Sequence, residues 1–300
     1  MRGDLARVET PGLHVADARL QLADPVGPGL TGERSSERHR PSFEHAFEFG
    51  KSGRPPVPMS AARASLGRMC GRFAISDTPD DLVRVFDVDT VGEGIPGPNW
   101  NVRPTDPIPV VLESKKEGPV VRRLEAARWS LVPSFAKELK LPYPTFNARA
   151  EGAAKAGAFR ASVASKRALI PADGYYEWHT VGKAKTPYFI HEPGGPLAFA
   201  GLYSWWRDRS KADDDPDRWH LTATILTTDA TGELADIHDR IPVIVPPEFW
   251  STWLDPDTRG DQSLVDAAVA ASRPLVPTLD YYEVGPVNGE GPELIRPIER

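Results

Sequence analysis

Cysteine is almost missing from these 300 residues: Cys70 stands alone. One thiol excludes an intramolecular disulfide framework and any cysteine-rich zinc site. Long apolar runs are also missing, so no membrane-spanning helix is expected. The first 30 residues lack the apolar stretch of a secretory signal, which points to the cytoplasm. Excess positive charge is absent too. The formal net charge is -6, and residues 1–68, with ten Lys/Arg and eight Asp/Glu, leave an even more acidic remainder. A non-specific coater of duplex nucleic acid would be basic. Any nucleic acid bound here must lie in a local basic groove.

What is present fits a soluble folded chain of one or two domains, with 40% hydrophobic and 26% charged residues. Residues 1–68 read as a disordered leader, rich in Gly, Pro, Ser and Arg and without sustained periodicity. The texture changes at Met69. Thr78-Pro79-Asp80-Asp81 has the form of a helix start. Residues 107–112 and 119–129 read as strands around a turn at 115–118. The Ala-rich stretch 151–166 suits a helix. Strands are expected over 167–171, 186–191, 197–205 and 219–228, helices over 247–254 and 263–272, and a closing strand over 281–287. Few strand–helix–strand units occur, so the fold class is α+β with a mixed, mostly antiparallel sheet. Residues 92–97 fit GxGxxG, but Pro96 and the flanks make this a loop rather than a phosphate turn.

Four segments concentrate polar chemistry: Met69-Cys70-Gly71-Arg72-Phe73, Asn147-Ala148-Arg149-Ala150-Glu151, Asp173-Gly174-Tyr175-Tyr176-Glu177-Trp178 and Asp236-Ile237-His238-Asp239-Arg240-Ile241-Pro242. Cys70 can be a buried, inert thiol or a nucleophile. Glu177, among aromatics after a glycine turn, can be a solvated strand-end carboxylate or a tuned acid/base. His238, between two Asp residues, can sit in a surface salt network or exchange protons. No second His has the spacing of a metal site.

In this order the segments resemble the SOS response-associated peptidase (SRAP) family. Asn101-Val102-Arg103-Pro104, Trp129-Ser130-Leu131-Val132-Pro133 and Gly291-Pro292-Glu293-Leu294-Ile295 resemble further family stretches, so the likeness runs from Met69 to about Pro297. It implies a domain over 69–300 with a single sheet or barrel-like core and peripheral helices, working without a cofactor or metal as a monomer. It also implies binding of single-stranded DNA that holds an abasic site, and a covalent link through an N-terminal Cys70. An N-terminal cysteine carries amine and thiol on adjacent carbons. The amine (pKa about 7.7–8.0) attacks the sugar aldehyde, and the thiol (about 8.5) closes a thiazolidine.

By the same resemblance, Asn147, Glu177 and His238 join Cys70 as catalytic residues. Arg72, Arg149 and Arg240 contact phosphates, Trp178 packs on a base or the pocket wall, and Thr227 is a weaker phosphate contact. The chain departs from the pattern at Ser130, where Gly is usual, at Phe135, where a Trp wedge often stands, and in its shortened 284–288 stretch. The 69 residues before Cys70 imply that translation starts at Met69 or that a propeptide is removed. A thiol peptidase built on Cys70 and His238, and a non-catalytic single-strand binder, are the competing readings.

Overall fold

The computed structural model describes residues 71–116 and 118–299. Residues 1–68 and Cys70, with the expectations placed on them, lie outside the described residues.

Thirteen strands follow one another: β1 (Phe73–Ile75), β2 (Thr90–Val91), β3 (Asn99–Val102), β4 (Pro107–Ser114), β5 (Val121–Trp129), β6 (Asn147–Arg149), β7 (Arg167–Ala172), β8 (Gly174–Val181), β9 (Ala184–His191), β10 (Leu197–Arg207), β11 (Trp219–Asp229), β12 (Arg240–Pro242) and β13 (Asp280–Glu283). Five helices punctuate them: α1 (Pro79–Phe86), α2 (Arg160–Ser165), α3 (Leu234–Ile237), α4 (Pro247–Leu254) and α5 (Gln262–Ser272). The expected α+β architecture with a mostly antiparallel, barrel-like core is what forms.

The larger sheet runs β12-β11-β10-β7-β4-β5-β2. A further parallel pairing joins β11 to β5, Thr222 opposite Arg128 and Ala223 opposite Trp129. That contact closes β5, β4, β7, β10 and β11 into a barrel and removes the exposed edges an open sheet would carry. β7 is buried along its whole length, which explains its uninterrupted apolar run, Ala168-Leu169-Ile170. Helix α4 covers it, and Trp253 Nε1 donates to Ala168 O at 2.9 Å. The buried Arg167 guanidinium donates to the carbonyls of Val163, Trp253 and Thr258, tying α2 and α4 to the barrel.

The second sheet, β13-β9-β8-β1-β3, is open. Alternation along its strands serves two cores. Phe73, Tyr175 and Ile190 pack toward the barrel; their neighbours Ala74, Tyr176 and Phe189 pack under Val284, Val287 and Leu294 of the C-terminal segment. The hinge between sheet and barrel is aromatic: Phe73 meets Trp129 at 5.0 Å and Phe199 at 6.1 Å, both edge to face.

Helix α1 starts as expected. Thr78 and Asp81 form a reciprocal capping box with Pro79 at the first helical position. Residues 92–97 form a loop, with Gly94 at φ 67. The Ala-rich stretch 151–166 is not one helix. It makes a 3-10 turn at Ala150–Gly152, a run of turns, and only then α2. Gly152 and Gly157 weaken a helix there, and Gln262 captures the backbone on both sides, donating to Ala150 O at 2.8 Å and accepting from Ala154 N at 3.4 Å. The closing strand stops at Glu283, short of 287, because Gly285-Pro286 follows and proline cannot donate to a ladder.

Candidate active site

Strand β6 lies parallel to β11, with Asn147 opposite Ile225 and Arg149 opposite Thr227. Residues facing each other in a ladder share a face, so Asn147, Arg149 and Thr227 point one way. The alternate residues Ala148 and Leu226 enter the core. Asn147 is buried and Arg149 exposed. Past the end of β11 the chain turns through α3, and His238 caps that helix in extended conformation. Strand β12 then returns along β11, Asp229 opposite Arg240.

Glu177 comes from the other sheet. It sits in mid β8 with only 2% of its surface exposed. Its Oε1 lies 4.0 Å from His238 Nδ1. Two residues separated by 61 positions thus meet where the barrel and the open sheet adjoin. Glu177 is therefore no solvated strand-end carboxylate, and His238 reaches it from the barrel side while also meeting the exposed Asp239.

His238 Nδ1 has neighbours with opposite demands. The backbone N–H of Arg240 donates to it at 3.1 Å, which requires a bare nitrogen lone pair and places the neutral ring's proton on Nε2. The carboxylate of Asp239 is 3.0 Å from the same atom, and Glu177 is at 4.0 Å; both favour a proton on Nδ1. Asp239 is mostly exposed.

Behind this pair lies a clamp. Arg240 forks onto Glu151, Nη1 to Oε1 at 3.0 Å and Nη2 to Oε2 at 2.9 Å. It also donates to Asp229 Oδ1 at 2.5 Å and to the carbonyl oxygen of Thr227. Burial alone would raise Glu151; the Arg240 hydrogen bonds, its own backbone N–H and Thr228 outweigh it, so its carboxyl titrates below the ordinary Glu range. Arg240 shifts up, because burial is outweighed by Glu151 and Asp229. Its side chain is 4% exposed. Among the described residues the Arg240 guanidinium thus faces the half-exposed Glu151, the largely exposed Asp229 and the Thr227 carbonyl. Thr227 is fully buried, its hydroxyl 3.4 Å from Arg240 Nη2. Neither Glu151 nor Asp229 was singled out from sequence. The i, i+11 spacing of Asp229 and Arg240 signals nothing until β11 and β12 pair.

Arg72 and Trp178 occupy the opposite face of β8. They line an open groove of about 590 Å³ with Lys185, Thr186, Pro187 and residues 283–288. Arg72 Nη1 donates to Asn101 Oδ1 at 2.9 Å, and Asn101 Nδ2 to Gly289 O at 2.8 Å. Burial and the nearby Arg103 lower the Arg72 pKa. Phe135 is 66% exposed at the tip of the loop after β5. That loop is tied at two places: at its neck the Ser130 and Thr145 hydroxyls bond at 2.9 Å, and beside Phe135 Trp206 Nε1 donates to Ala136 O at 2.9 Å. Ser130, which departs from the usual Gly, thus closes the loop's neck.

Among the described residues no group of three or more His, Cys, Asp and Glu is placed to hold a metal ion. No described helix is long and apolar enough to cross a membrane.

The sequence profile of the SOS response associated peptidase (SRAP) family matches residues 69–289. Abasic site processing protein YoqW of Bacillus subtilis is 38% identical over 191 residues, covering 63% of this chain and 81% of YoqW. Abasic site processing protein YedK of Escherichia coli is 30% identical over 241 residues, covering 77% of this chain and all of YedK. A crystal structure of a protein from Bacteroides thetaiotaomicron superposes with a TM-score of 0.62 at 21% identity, over 77% of this chain and all of that one. The chain belongs to the SOS response associated peptidase (SRAP) family.

Proposed function

We propose that this protein acts on DNA containing abasic sites and links itself covalently to the lesion through Cys70 as an N-terminal residue. Relatives carrying the name abasic site processing protein support the substrate class. The observation that carries the chemistry is the buried Glu177 carboxylate beside His238 at 4.0 Å, at the seam of two sheets. A carbonyl condensation needs a proton acceptor for the attacking amine and a donor for the departing hydroxyl.

The neutral α-amine of Cys70 adds to the open-chain sugar aldehyde, and Glu177 carries the proton the nitrogen loses to the former carbonyl oxygen, giving a neutral carbinolamine. His238, protonated, gives a second proton to the carbinolamine hydroxyl, which leaves as water while the C–O bond breaks and the iminium forms. Neutral His238 then takes the Cys70 thiol proton, the thiolate adds to the iminium carbon, and a five-membered thiazolidine with a neutral ring nitrogen results. Asn147, beside β11, holds the sugar or its neighbouring phosphate by neutral hydrogen bonds. Arg149, exposed and with no ion pair among the described residues, contacts phosphate. Arg72 and Lys185 track the backbone along the groove, while Trp178 and Phe135 offer surfaces for single-stranded bases.

The chemistry demands a free amine on Cys70, so the reacting form begins there, by translation from Met69 and removal of Met or by loss of residues 1–69. The test mixes a chain started at Met69, and the full chain, with a single-stranded oligonucleotide holding one abasic site. A denaturant-resistant shifted band is expected for the Met69 start and not for Cys70→Ala or for the chain that keeps its leader. A band that persists in Cys70→Ala would defeat the assignment. Cleavage of an unrelated peptide by the same preparation, lost in Cys70→Ser, would favour the thiol peptidase instead.

A further inference from the structure

Three chain segments must be held together for the site to exist: β6, which carries Asn147; β11, which carries Thr227; and the turn into β12, which carries His238. Each is short or ends at the site. β6 and β12 have three residues apiece and pair with little besides the end of β11. Ladder hydrogen bonds of that number fray readily.

One residue links the three, by its guanidinium and its backbone N–H. Arg240 belongs to β12, forks onto Glu151 four residues after Asn147, and donates to Asp229 and the Thr227 carbonyl on β11. Its own backbone N–H is the donor to His238 Nδ1. The side chain that is clamped and the backbone N–H that sets the imidazole's tautomer thus belong to one residue. A planar fork on a carboxylate fixes orientation as well as distance, which a lysine would not.

We infer that Glu151, acting through Arg240, is a positioning residue that aligns His238 and Asn147 for the reaction. Stability alone is a weak reason for such a cluster, since both carboxylates are half or more exposed and solvent screens their attraction to Arg240. Alignment is a better one, because reacting groups displaced by about 1 Å can lose about a hundredfold in rate. The inference rests on the proposed reaction, but the clamp can be observed without it.

The experiment compares wild type, Glu151→Gln and Asp229→Asn. Asp229 is largely exposed, so its variant removes one arm of the clamp with the Glu151 fork intact and guards against a Glu151 variant that does not fold. Three quantities are read: the crosslinking rate constant at saturating protein, binding of a strand with a tetrahydrofuran abasic analogue that has no aldehyde, and the His238 ring nitrogen signals in the full chain, assigned by their loss in His238→Gln. Glu151→Gln is expected to slow crosslinking by about tenfold to a hundredfold, to leave analogue binding within about twofold, and to shift the His238 Nδ1 signal. Asp229→Asn is expected to move the same quantities less. A Glu151→Gln rate and His238 signal equal to wild type, with Asp229→Asn also silent, would overturn the inference. So would analogue binding weakened by the same factor as the rate, which would make the cluster part of strand binding. Wild type that never crosslinks sinks the proposed reaction, while the His238 signal still decides the clamp.

Discussion

The barrel and the open sheet each supply part of the site, and they are built by different rules. The barrel closes on itself through β11 and β5, and its interior is largely apolar, with polar atoms such as the Trp129 indole N–H reaching a partner, Phe146 O at 2.8 Å. The open sheet is thinner and buries a carboxylate, Glu177, in mid strand. Buried titratable groups cluster at functional sites. The barrel side supplies most of the positions, His238 among them, and the sheet supplies the buried carboxylate, so the candidate site lies where the two meet. Asn147, Thr227 and His238 belong to the barrel side; Glu177 faces them from the sheet.

That contrast breaks first if the two regions respond alike to substitution. Trp129 is 1% exposed and packs edge to face on Phe73 and Phe146. Trp129→Ala should lower unfolding free energy by about 3–5 kcal/mol, read from the midpoint of chemical denaturation. Glu177→Gln should do the reverse of this in kind. The crosslinking rate should fall by about a hundredfold or more, while the thermal midpoint stays within a few degrees of wild type. A Glu177→Gln protein that loses stability as Trp129→Ala does would make Glu177 a structural strut and dissolve the distinction.

How far the sequence discloses this division depends on the range of the interactions. Local signals were legible. The Thr78 cap with Pro79 predicts α1, and the apolar runs of β7, β10 and β11 predict long strands, because side-chain alternation and capping are settled within a few residues. The ordered segments around Asn147, Glu177 and His238 pointed to residues of which the structure brings Glu177 and His238 within 4.0 Å. The fate of Arg240 was not. In sequence it is an arginine in a polar run, equally apt for phosphate. Only the pairing of β12 with β11, and the 3-10 turn that brings Glu151 round, surround it with carboxylates. Tertiary contacts decided the Ala-rich stretch as well, where Gln262 claims backbone groups that a helix would have used internally.

A smaller effect sharpens the picture at its periphery. Thr78→Ala removes the side-chain half of the capping box on α1, whose buried face stacks Phe86 on Trp250 at 4.7 Å. About 1 kcal/mol of stability should go, with the crosslinking rate unchanged. A rate that drops with the cap would mean that α1 transmits to the site, contrary to the division drawn here.

The smallest effect is one of slope, and it has opposite sign in the two regions. Glu151, on the barrel side, titrates below the ordinary Glu range despite its partial burial, because the Arg240 fork dominates. Its stabilisation is thus complete above about pH 4.3 and is lost as pH falls through the lowered folded value. Asp173, at the entry to β8, is shifted up instead: burial raises it, the Ser76 backbone N–H at 2.7 Å offsets part, and Asp77 adds repulsion. The favourable contribution of its protonated form is complete below about pH 3.9 and fades as pH rises through the raised folded value. Unfolding free energy measured from pH 3 to pH 7 should therefore flatten in opposite directions. Glu151→Gln should lose less stability than wild type on acidification, and Asp173→Asn should lose less on the way up. Both slopes should be shallow, since half of Glu151 is in water and solvent screens it. Slopes of the same sign would show that the carboxylates of the barrel rim and of the open sheet feel one common field, rather than one salt-bridged and one desolvated environment on either side of the seam.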